Sequence, residues 1–166
     1  DDRRMPCLVA LESIIEHDDK WWEPHGSIIR SLGRLGDPSA APAIRPFLNR
    51  NVDEAARAAE ALGRLGDTDS ISRIRELLLT SEYSVLVEKA ASALGKLGDR
   101  SIVPELHPML KNSDENLRAA VAEALRQLGG PGSVNELKKS IEAEKFPWVK
   151  NIMRESLNSL EKGSEY

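Results

Sequence analysis

The sequence predicts an all-α fold, a right-handed α-solenoid of about five stacked helical hairpins, and three observations carry that prediction. A six-residue phrase recurs along the chain at a nearly constant interval, the mark of a repeat architecture. The 166 residues are 40% hydrophobic, 30% charged and only 4% aromatic, weighted toward Ala and Leu, which is a profile of helical repeats rather than of a β-sandwich. The phrase also ends in Gly-Asp, where one helix stops and the next starts.

The phrase is Leu32-Gly33-Arg34-Leu35-Gly36-Asp37. It returns 30 residues later as Leu62-Gly63-Arg64-Leu65-Gly66-Asp67, and 32 residues after that as Leu94-Gly95-Lys96-Leu97-Gly98-Asp99. A degraded copy, Leu125-Arg126-Gln127-Leu128-Gly129-Gly130, follows at 31 residues, and Leu157 with Leu160 marks a fifth at a further 32.

Each part has a mechanical reason. The two leucines, three apart, share a helical face and are expected to lock one helix onto its partner. Gly36, Gly66, Gly98 and Gly129 fall where a positive φ closes the last carbonyls. Asp37, Asp67 and Asp99 fall where a carboxylate accepts backbone N–H bonds at the next helix start, and Pro38 suits a first helical position. Gly33, Gly63 and Gly95 are expected to admit a neighbouring helix closely. They end helices instead of opening one after a strand, so they form no phosphate loop.

Reading outward from these stops gives paired helices in order. Met5 to His17 pairs with Trp22 to Leu35, Ser39 to Asn49 with Val52 to Leu65, and Asp69 to Leu79 with Tyr83 to Leu97. Ser101 to Lys111 pairs with Asp114 to Leu128, and Ser133 to Ala143 with Trp148 to Leu160. A hairpin of this size cannot bury its own apolar face, so neighbours must stack and share one core. Residues 1–166 are therefore expected to form a single unit, with repeats near 5–36, 37–66, 67–98, 99–130 and 131–162.

The phrase Asn116-Leu117-Arg118-Ala119-Ala120-Val121-Ala122-Glu123-Ala124-Leu125, taken with the Leu-Gly-Arg-Leu-Gly-Asp endings, resembles the HEAT-like repeat of phycobilisome lyases over nearly the whole chain. The resemblance implies an armadillo-like superhelix whose second helices line a concave surface. It also implies a range of roles, from bilin lyase subunits to scaffolds and regulatory domains. The chain departs from the pattern at Arg118, whose counterparts are Val87, Ala55 and His25.

Counting from the first leucine of each phrase, positions −7, −4, −3, 0 and +3 cluster on one side of a helix. In the second hairpin these are Ala55, Ala58, Ala59, Leu62 and Leu65, a core stripe. The opposite line, at −9, −5, −2 and +2, reads Glu23, Ser27, Arg30, Arg34; then Asp53, Arg57, Glu60, Arg64; then Val85, Lys89, Ser92, Lys96. It continues as Asn116, Ala120, Glu123, Gln127 and ends as Trp148, Ile152, Glu155, Ser159, changing from basic to apolar along the chain.

The candidate partner-binding residues are accordingly Arg30, Arg34, Arg57, Arg64, Lys89 and Lys96, suited to an acidic segment or helix of another protein, together with Trp148 and Ile152. The competing structural reading is local. Basic residues in a last turn stabilise the negative helix end, Glu60 with Arg64 is a favourable i,i+4 pair, and Trp21-Trp22 and Trp148 lie at solenoid ends, where large side chains cover an open core.

A net charge of −4 and a pI near 5.5 give no long-range attraction to nucleic acid or anionic membrane, and a basic strip alone argues only weakly for nucleic acid. No apolar run reaches the length of a membrane span, and Asp1-Asp2 is the opposite of a signal peptide's basic start. The chain opens on Asp rather than Met, so a processed product or a piece of something longer is expected. The single Cys7 lies among Met5, Leu8 and Leu11 as apolar filler, and a reducing, cytoplasmic monomer is the expectation. His17, His25 and His107 are scattered, with none followed by Glu, unlike the repeated His-Glu pairs of di-iron HEAT-like hydroxylases. Neither a metal centre, nor a reactive thiol, nor a Ser/His/Asp arrangement is supported. The expected function is a non-enzymatic interaction domain without a cofactor; the resemblance gives a bilin lyase or phycobiliprotein-chaperone subunit as the alternative, and nucleic-acid binding by the basic strip is a second.

Overall fold

A computed structural model describes Val9 and residues 25–163. The expected helix Met5 to His17, Cys7, His17, Trp21-Trp22 and Glu23 lie outside the described residues. The chain is an α-solenoid. Five long helices follow one another in the inner layer: α1 (His25–Leu35), α3 (Val52–Leu65), α5 (Ser84–Leu97), α7 (Glu115–Leu128) and α9 (Pro147–Gly163). Each packs on the one before and the one after. The outer layer is α2 (Ala41–Ile44), α4 (Ile71–Thr80), α6 (Val103–Leu106) and α8 (Ser133–Ala143).

The second helices start and stop where the phrase predicts. α3 is capped at its start by Asn51, whose side chain accepts from the Glu54 N–H at 3.0 Å, and it carries Asp53 and Glu54 in its first turn and Arg64 in its last, charges that oppose the helix dipole. It stops at Gly66, in the left-handed region at φ 72°. There the Asp67 N–H donates to the Leu62 carbonyl at 3.1 Å, closing a Schellman turn. Gly98 (φ 79°) and the Asp99 N–H on Leu94 at 2.9 Å repeat the device. In the degraded fourth copy Gly130 replaces Asp, and Gly129 (φ 68°) and Gly130 (φ 106°) both take positive φ.

The outer segments are less regular than expected. Ser39 to Asn49 is a 3₁₀ turn (Pro38–Ala40), α2 and a second 3₁₀ stretch (Arg45–Asn49). Ser101 to Lys111 likewise reduces to α6 and a 3₁₀ stretch (His107–Lys111). Pro42 and Pro46, and Pro104 and Pro108, are the cause: each ring removes an N–H donor and crowds the preceding turn. α4, without proline, forms ten regular residues after a 3₁₀ turn (Thr68–Ser70).

One core runs through the stack. Ala58, Ala59 and Leu62 of α3 are fully buried, with Ala55 and Leu65 nearly so, so the predicted stripe holds. Leu35 is the exception. It is 57% exposed at the end of α1 while Leu32 is fully buried. Helix spacing is set by single atoms. A Cβ on Gly33 would lie 2.8 Å from Ala61 Cα, and one on Gly63 would lie 2.6 Å from Ala93 Cα, closer than any Cβ tolerates. Gly95 departs from this, since its nearest neighbour would be Leu128 at 3.7 Å, an ordinary contact.

A candidate docking wall on the inner helices

The inner helices present the predicted line outward. Arg30, Arg34, Arg64 and Lys96 are exposed and Arg57 and Lys89 are half-buried. Local pairing takes some of this charge: Arg57 donates to Asp53 at 3.1 Å, Arg64 to Glu60 at 2.7 Å and Lys89 to Glu88 at 2.8 Å. Among the described residues Arg30, Arg34 and Lys96 form no ion pair. The strip is thus part local helix chemistry and part uncommitted cation.

The other end of the wall is a groove of about 470 Å³ between α5, α7 and α9. Trp148, 43% exposed, and half-buried Ile152 stand on one side. Ala119 and Ala120 line the groove with them, and Glu88, Glu123 and Glu155 add carboxylates. Val149 and Met153 of the same helix are fully buried. Ala120, expected on the free line, is only 8% exposed, since the alanine has no length with which to rise above its neighbours. Glu123 is bound by the Arg126 guanidinium and by Gln127 at 3.1 Å, and the Arg126 bonds hold its carboxyl below the usual range. Glu155 is exposed and, among the described residues, in no ion pair.

Sequence reasoning missed a set of ties between successive hairpins. Arg45 binds Asp67, through Nε at 2.9 Å and also through a terminal nitrogen, and reaches Asp69 at 2.7 Å. Their counterparts one unit on, Arg75 and Asp99, meet at 3.3 Å, with Ser101 Oγ accepting from Arg75 at 2.6 Å. The third counterpart, His107, is 3.3 Å from Ser133 Oγ. Asp67 is therefore not the simple helix cap expected of it. It makes no capping bond to a backbone N–H and instead holds Arg45 and the Ser70 hydroxyl, with the Arg45 bonds pulling its carboxyl below the ordinary range. Asp37 and Asp99 do cap, accepting from the Ser39 N–H at 2.9 Å and the Ser101 N–H at 3.2 Å. The available signal was the 30-residue spacing of Arg45 and Arg75 beside the 32-residue spacing of Asp67 and Asp99.

The last two hairpins are joined by a buried pair. Arg118 donates to Glu144 through Nε at 2.7 Å and a terminal nitrogen at 2.9 Å, and to the carbonyls of Asn112 and Ser113 at 2.8 and 3.0 Å. Glu144 also accepts from the N–H groups of Lys145 and Phe146 at 2.8 and 2.9 Å. Arg118 above all, then the backbone donors, lower its carboxyl to about 2. The counterpart of Arg118 in the first hairpin, His25, makes an analogous contact to Glu54 at 3.0 Å, so the position bridges hairpins in two of the copies despite its varied identity. The described histidines, His25 and His107, thus serve separate hairpin contacts.

A stack of helix pairs that shares one continuous core defines the class of α-solenoid repeat proteins. The chain belongs to the HEAT repeat family, whose model matches residues 8–94 and 86–158. Among solved structures it is similar to the complex of CpcE and CpcF of phycocyanin lyase from Nostoc sp. PCC7120, at 15% identity and a TM-score of 0.70 over 90% of this chain and 98% of that one. No curated protein matches the sequence. None of the described helices is long and apolar enough to cross a membrane.

Proposed function

We propose that this chain is a non-catalytic interaction domain that holds an acidic segment of a protein partner along Arg30, Arg34, Arg57, Arg64, Lys89 and Lys96. One observation carries the reading: Arg30 and Arg34 on α1 and Lys96 on α5 are exposed and, among the described residues, form no ion pair, so their charge is available to carboxylates from outside. HEAT repeats as a family favour protein binding over chemistry. The test is a pull-down from the source cell comparing the wild type with the Arg34→Glu, Arg64→Glu, Lys96→Glu variant. Recovery of the same partners by both would end the proposal.

A second reading, a subunit that handles a bilin on a phycobiliprotein, is favoured by the structural likeness to the phycocyanin lyase complex. It requires that the chain co-elute with phycobiliprotein subunits or alter the absorbance of a bilin mixed with them.

A further inference from the structure

The wall formed by the inner helices has two chemistries. α1 and α5 carry the uncommitted cations Arg30, Arg34 and Lys96 and α3 the locally paired Arg57 and Arg64, whereas the groove between α5, α7 and α9 combines an exposed indole with carboxylates and lacks a lysine or arginine in its lining. Small side chains at Ala119 and Ala120 leave space beside Trp148 for a bulky apolar group, and Glu88 and Glu155 at its sides favour cations next to it. The nearby positive charges are accounted for, because Lys89 holds Glu88 and Arg126 holds Glu123. Glu155 carries a charge that no described residue balances.

We infer that the groove lined by Trp148, Ile152, Glu88 and Glu155 receives a bulky apolar side chain flanked by lysine or arginine, belonging to the same partner segment whose acidic residues follow the basic strip. The inference rests on the proposed docking wall and gives the bound segment a direction: acidic end on the first three hairpins, apolar and basic end on the last two. With inner helices roughly 9 Å apart, four steps span roughly 36 Å. That distance is covered by roughly 24 helical residues or roughly 11 extended ones.

The probes are three fluorescein-labelled 24-residue peptides read by anisotropy: one Glu-rich throughout, one carrying only a Leu-Trp-Lys-Lys block, and one with a Glu-rich start and that block at its end. Glu88→Lys/Glu155→Lys should weaken the block peptide by about tenfold and leave the Glu-rich peptide unchanged. Trp148→Ala, at an exposed position, should weaken the block peptide as well, with circular dichroism confirming that both variants are folded. If the block peptide does not bind the wild type, or binds the double reversal equally well, the inference is overturned. If instead the Glu-rich peptide ignores Arg34→Glu, Arg64→Glu, Lys96→Glu, the basic strip fails and the groove assignment stands.

Discussion

Glu144→Gln should remove the strongest single tie between the fourth and fifth hairpins. The side chain keeps its volume, but its amide nitrogen faces the Arg118 guanidinium in either orientation and, at the Oε1 position, the Lys145 and Phe146 N–H groups as well, all of them donors. The Arg118 and Glu144 side chains are 12% and 2% exposed, so little water compensates. Breaking a buried pair of this kind costs about 3–5 kcal/mol. The lowering of the Glu144 carboxyl from 4.5 to about 2 gives an independent figure of ~3 kcal/mol at 1.36 kcal/mol per unit. For a chain of this length that corresponds to roughly 6–12 °C in melting temperature if unfolding is cooperative. Because repeat arrays couple mainly to nearest neighbours, hydrogen exchange of α8 and α9 is the sharper assay, with protection lost there before α3 or α5. The sign with pH follows from the depressed carboxyl: its contribution is complete above about pH 5 and disappears as pH falls toward 2. The wild type should thus lose stability over that window and Glu144→Gln should be flatter. A variant that loses less than about 1 kcal/mol, or keeps the wild-type pH slope, would refute the reasoning. In a double-mutant cycle, Arg118→Met/Glu144→Gln should lose less than the sum of the single changes.

Gly63→Ala should destabilise by about 1–3 kcal/mol, since the new methyl meets the backbone of Ala93 and must push α3 from α5. Gly95→Ala has room and should be neutral or stabilising by up to ~1 kcal/mol through helix propensity alone; urea melts of the two side by side decide the matter. Arg45→Met leaves the Asp67 carboxylate nearly buried with only Ser70 beside it, and an NMR titration should show the Asp67 carboxyl returning upward toward the usual range.

The repeat was legible because its parts are local. A glycine at positive φ, leucines one and four residues before it and an Asp after it all act within one or two turns, so their meaning survives without knowledge of the neighbours. Gly36, Gly66 and Gly98 adopt the expected conformation for that reason. The broken outer segments are legible too, in Pro42, Pro46, Pro104 and Pro108, whose rings override the helical periodicity around them. What periodicity hides is contact between hairpins. Arg45 with Asp67, Arg75 with Asp99 and Arg118 with Glu144 join different positions in neighbouring units across 22 to 26 residues. A comparison of like positions never pairs them. The groove shows the same limit: Trp148 and Ile152 follow from one helix's line, but Glu88 and Ala119 belong to adjoining rows, and only the stack brings them into one recess.

The opposition of Gly33 to Ala61 and of Gly63 to Ala93 has a geometric result. Like the stones of an arch, hairpins thinner on their inner edge force the course to bend, and here that thinness is the absence of one methyl group. Where Gly95 faces Leu128 the nearest atom is an ordinary 3.7 Å away, so that joint is drawn in less tightly. Duplicating the second hairpin would therefore build a tighter ring than duplicating the fourth, and the radius of such proteins can be tuned by mutation at one position in each unit.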